Sequence, residues 1–131
     1  MDKSTWNKVA AALCSTDVEA AVAAAARLHA EATAEDLPRL LDLLKTGRDF
    51  FIREAAAWPL VELAGPAVLR EVFAAYQLGF DEGHDNDGFT AALLEIPALH
   101  PVETKPALEN LVTHEAGATL EHAQWLMEFC R

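Results

Sequence analysis

A chain of 131 residues, 52% of them hydrophobic, is long enough to bury a core as one domain without disulfides or a structural metal. Its 21 acidic and 10 basic residues give a formal charge of −11, which argues against nucleic-acid and anionic-membrane partners, since both need Lys/Arg clusters to displace counterions; a basic partner is favoured instead. The N-terminus lacks the basic and apolar regions of a signal peptide, and no run approaches the roughly 18 apolar residues that span a bilayer, so the chain reads as cytoplasmic.

The predicted elements are all helical. Trp6, Val9, Ala10 and Leu13 keep the 3,4 spacing of one helical face, and Thr16 with Glu19 forms a capping box for a second helix carrying Val18, Ala21, Val22, Ala25 and Leu28. Leu37, Leu40, Leu41 and Leu44 give the third helix its stripe, with Pro38 tolerated in the first turn and Gly47 as the stop. The fourth opens at Asp49 and is apolar over a wide arc, through Ile52, Ala56, Leu60 and Leu63 on one line and Phe51, Ala55 and Trp58 on the next. Such a helix must lie between neighbours, and Pro59 should kink it.

Gly65 and Pro66 close that helix and open a fifth bearing Leu69, Val72, Phe73, Tyr76 and Phe80. After an acidic loop, Phe89, Ala92, Leu93, Ile96 and Leu99 mark the sixth helix, which Pro97 should bend or stop. Leu108, Leu111 and Val112 mark the seventh; Leu120, Ala123, Leu126, Met127 and Cys130 mark the eighth. Cys14 and Cys130, one in each end helix, read as reduced core thiols, without the nearby His that zinc would require.

The second helices open near Asp17, Asp49, Asp87 and Ala118, at intervals of 32, 38 and 31 residues. This spacing predicts one domain over residues 1–131, an all-α stack of about four helical hairpins. The long interval holds the loop Asp81-Glu82-Gly83-His84-Asp85-Asn86-Asp87-Gly88, an insertion of about six residues on one face of the array.

The segment from Asp49 through Phe51, Ile52, Arg53, Ala55, Ala56, Trp58, Pro59, Leu60 and Leu63 to Gly65 resembles the second helix of a HEAT-like repeat: an Asp, an aliphatic three residues on, an Arg, paired alanines, an aliphatic and a terminal Gly. Weaker copies run from Asp17 to Leu28, Asp87 to Leu99 and Leu120 to Phe129, and only the Asp49 copy carries the Arg. The resemblance implies an α-solenoid of the armadillo-like kind and a protein-binding role. Members of such families include immunity proteins that neutralise toxin domains and phycobilin-lyase subunits; a DNA-glycosylase branch is disfavoured by the charge.

No residue pattern points to catalysis. There is no nucleophile elbow, no Gly-rich phosphate loop and no Cys–His pair, and His100, His114 and His122 lack the one-turn spacing of metal hydrolases, so neither an enzyme nor a cofactor is expected. Asp85, Asp87 and Gly88 match the third, fifth and sixth positions of an EF-hand, but the first and twelfth would be Gly83 and Leu94, so that calcium geometry fails. Asp81, Glu82, His84 and Asp85 could form a looser divalent-metal site, or Asp85 or Asp87 could simply cap the next helix.

The favoured expectation is an adaptor or inhibitor that meets a basic protein through Asp81, Glu82, His84, Asp85, Asn86 and Asp87, with Tyr76, Phe80 and Phe89 as apolar anchors. Asp49, Arg53 and Trp58 are expected to be structural, Arg53 pairing with a carboxylate such as Glu54 or Glu62, or with an Asp of the adjacent repeat. A homodimer through an uncovered end helix, suggested by Trp6 and Trp125, and a small-ligand module are the alternatives.

Overall fold

Carboxylates start three of the helices. In the computed structural model, which describes residues Met1–Arg131, Asp2 accepts from the Thr5 amide at 2.7 Å and caps α1 (Lys3–Leu13); Asp17 accepts from the Glu19 amide at 3.1 Å and caps α2 (Val18–Glu31). Asp49 accepts from the Ile52 amide at 2.9 Å and caps α4 (Phe50–Ala64). Each satisfies one of the amides that a helix start leaves without an intrahelical partner. The cap of α2 is therefore Asp17 and not Thr16. The remaining helices are α3 (Leu37–Thr46), α5 (Leu69–Asp81), α6 (Asp87–Leu99), α7 (Pro101–His114) and α8 (Gly117–Met127), with 3-10 turns at Ala34–Asp36 and Gly65–Val68. The protein is all-α and has no strand.

The helix α4 is the centre of the core, as its all-round apolarity requires. It packs against α2, α3 and α6 and buries Ile52, Ala55, Ala56, Ala57, Leu60 and Val61. The alanines allow these neighbours to approach closely, while Leu28, Leu40, Leu44, Phe73, Phe89 and Leu93 fill the space around them. Pro59 lies inside α4 and Pro97 inside α6, and both helices continue past them, to Ala64 and Leu99. Pro97 therefore does not end its helix.

Hairpins form between α1 and α2, α3 and α4, and α7 and α8, and the second helices α2, α4 and α6 lie side by side, with α3 beside α5. The last hairpin is placed differently from a uniform array. There α7 lies against α6, and α8 lies against α5. A single residue, His100, separates α6 from α7, so α7 must fold straight back beside its predecessor. This leaves α8 to cover α5.

At the other end, Asp36 is buried and accepts the Thr33 amide at 2.9 Å, the Met1 ammonium at 3.1 Å and Arg39 at 3.5 Å. Burial opposes its ionisation, but these donors outweigh it and hold the carboxyl below its usual range. Cys14 is exposed and not a core thiol; Cys130 is half-buried against the core.

Candidate protein-interaction site

The loop between α5 and α6 is built by local backbone chemistry. Gly83, at φ 88°, follows the end of α5; its amide bonds to the Phe80 carbonyl at 2.9 Å and the His84 amide to the Gly79 carbonyl at 3.0 Å, the Schellman ending that glycine permits. Asn86 then adopts the left-handed conformation, at φ 63° and ψ 18°, which Asn tolerates better than most residues. Its side chain turns inward and donates to the Tyr76 carbonyl at 2.8 Å, while Asp85 Oδ1 accepts from the Asp87 amide at 3.1 Å. Neither Asp85 nor Asp87 is the helix cap in the expected sense. Asn86 occupies that position, by its backbone, and its carbonyl takes the Thr90 amide at 2.8 Å.

Two further contacts pin the loop to α4. Arg53 is 2% exposed; it donates to the Gly47 carbonyl at 3.2 Å and to Glu82, which closes α5. It pairs with neither Glu54 nor Glu62. His84 stacks on Phe50, ring centroids 4.4 Å apart and tilted by 20°. Gly79 is required beneath this arrangement, because a β-carbon there would overlap Asn86 Oδ1 and lie 2.9 Å from the Phe50 ring.

The predicted contact residues therefore divide into two groups. Asp81, Glu82, His84, Asp85 and Asp87 are exposed, and Phe80 is 42% exposed beside them. Asn86 and Phe89 are wholly buried and Tyr76 nearly so, its hydroxyl 2.7 Å from Thr90 Oγ1. These three support the loop and cannot be surface anchors. Among the exposed acids, Glu82 is committed to Arg53, whereas Asp81, Asp85 and Asp87 have no cationic partner. Trp58 is half-buried on α4, 5.8 Å from His29, and Asp49 is the exposed cap described above.

Residues outside the predicted contact set complete the environment. Gln77 donates to Asp81 at 2.9 Å and accepts from His122 Nε2 on α8 at 2.9 Å. His122 packs among Phe73, Tyr76 and Phe80, and this burial lowers its pKa, with Glu121 acting in the opposite direction. Glu54, against Gly88 at the start of α6, is pushed up by burial and then by Asp85. No group of three or more His, Cys, Asp or Glu side chains converges in a geometry that could hold a metal. No helix is long and apolar enough to cross a membrane.

Compared with known proteins, the chain matches no family model and resembles neither a curated protein nor a solved structure.

Proposed function

We propose that the chain is a non-enzymatic protein-interaction module, a cytoplasmic adaptor or inhibitor on a HEAT-like array of helical hairpins, that binds a basic protein through the 81–87 loop. The observation that carries this reading is the trio Asp81, Asp85 and Asp87: exposed, unmatched by any cation, and set beside half-exposed Phe80 on a loop pinned by Arg53, Asn86 and His84. A fixed array of carboxylates loses little entropy when a partner's Lys or Arg meets it, and an adjacent aromatic adds apolar contact.

The distribution of charge along the sequence is in keeping with this reading. Residues 49–131 hold fourteen acids and four bases, a net of −10, while residues 1–48 hold seven acids and six bases, a net of −1. The field that steers a basic partner is thus concentrated in the part of the chain that contains the loop. An immunity protein that occupies the basic surface of a toxin domain is one concrete form of this function.

The test is capture from the native lysate at low salt, with the wild type beside an Asp81→Asn, Asp85→Asn, Asp87→Asn variant. A basic protein held by the first and lost by the second supports the proposal. Equal capture by both removes the loop from recognition.

A further inference from the structure

The acidic loop is one end of a longer aromatic track. Phe80 leads by ring contacts to Tyr76, Trp125 and Phe129, in steps of 4.8, 6.1 and 5.5 Å. Phe80 and Phe129 are 42% and 48% exposed and Trp125 is half-buried, while Tyr76 between them is nearly buried, so the track presents apolar surface at its two ends. Beyond it, Phe129 forms one wall of a groove of about 530 Å³ whose other walls are Leu94, Pro97, Ala98 and Pro101, with Arg131 at the rim.

The two ends differ in chemistry. Unmatched carboxylates stand at the Phe80 end, and the Phe129 end is apolar, with prolines that offer no backbone N–H to a ligand. A groove of this size accepts one large side chain and part of its backbone. The ring steps place Phe129 at most about 16 Å from Phe80, which an extended chain spans in about five residues at ~3.3 Å each.

Building on the proposed protein-binding role, we infer that the partner is engaged through one extended segment with two anchors: a Lys/Arg cluster on Asp81, Asp85 and Asp87, and, about five residues away, a large apolar side chain in the Phe129–Pro97–Pro101 groove. The two anchors differ in chemistry and so set the direction of the segment. Basic proteins lacking the apolar anchor bind more weakly, because charge alone is screened by salt.

Selection from a random twelve-residue peptide library on the immobilised full chain tests this. The wild type should enrich peptides that pair a basic cluster with an aromatic or large aliphatic residue about five positions away. Phe129→Ser should abolish the apolar preference and retain the basic one; the triple Asp→Asn variant should do the reverse. Binding of the enriched peptide, read by fluorescence anisotropy, should weaken at least about tenfold with either variant, the loss of a typical interface anchor. No enrichment, a helical spacing of about eleven residues, or enrichment unaffected by Phe129→Ser would overturn the inference. The outcomes separate it from the reading on which it rests: enriched basic peptides indifferent to Phe129 leave the acidic recognition site standing, whereas peptides indifferent to the loop acids remove both.

Discussion

Arg53, buried in the first turn of the central helix, reaches across to Glu82 at the end of α5, so the core and the acidic loop share one ion pair. The two partners are unequal: Arg53 is almost fully enclosed and Glu82 is 37% exposed at its side chain. Removing the carboxylate leaves a buried guanidinium with only the Gly47 carbonyl as its accepting partner. Glu82→Ala should therefore cost about 2 kcal/mol in urea unfolding, below the full penalty of an enclosed pair because Glu82 keeps contact with water. Arg53→Met should cost less, since the stranded Glu82 is solvated. If the order is reversed, the pair is not what holds the loop. The same asymmetry makes Glu82 unsuitable for a binding test, since its loss would disturb the scaffold along with the surface.

Gly79→Ala reports on the seating of the loop. In an exposed helix interior this substitution would gain up to ~1 kcal/mol. Here the added β-carbon meets the fully buried, inward-turned Asn86 side chain and the half-buried Phe50 ring. A loss of about 1–3 kcal/mol is expected, the range for overpacking a filled core. Increased amide exchange confined to residues 82–88 would accompany it. A stabilised variant would contradict the placement of Asn86.

Glu54 contributes a pH dependence of one sign. Its folded-state pKa is raised by burial and by Asp85, so the unfolded chain ionises first as the pH climbs above the ordinary value of 4.5. The folded state then binds more protons, and stability falls with rising pH until the raised value is passed. Glu54→Gln should be more stable than wild type at neutral pH, and the difference should vanish well below pH 4.5. Paired thermal melts across that range measure it.

His122 acts in the opposite direction. Its folded-state pKa is lowered by burial, so as the pH falls below 6.5 the unfolded chain takes up a proton that the folded chain resists. Stability is retained above that value and lost on acidification, levelling off once the pH is below the lowered pKa. A His122→Gln variant, which keeps a polar partner for Gln77, should show a flatter profile between pH 7 and 5. Identical profiles for the two proteins would assign the acid sensitivity elsewhere.

The helices were legible because their signals are local: Asp49 opening α4, Gly65 following it, and apolar residues at helical spacing between. The burial of Phe89 is itself legible in the helical spacing. This residue lies three, four and seven residues before Ala92, Leu93 and Ile96, so the stripe that predicts α6 also turns Phe89 inward. Tyr76 likewise belongs to the inward line of Val72 and Phe73. Other features had no local signal. The Arg53–Glu82 pair, the Gln77–His122 bond and the Phe129 groove each join segments distant in sequence, and the last two depend on where the last hairpin sets α8. Short-range spacing carries no information about that choice.

The most direct measurement is the salt dependence of affinity for the captured partner, in wild type and in the Asp81→Asn, Asp85→Asn, Asp87→Asn variant. Three exposed carboxylates that meet cations should give the wild type an affinity falling steeply with ionic strength, while the variant should be weaker at low salt and much less salt-sensitive, the two converging at high salt. Parallel salt profiles, with the variant undiminished at low salt, would contradict recognition by the acidic loop.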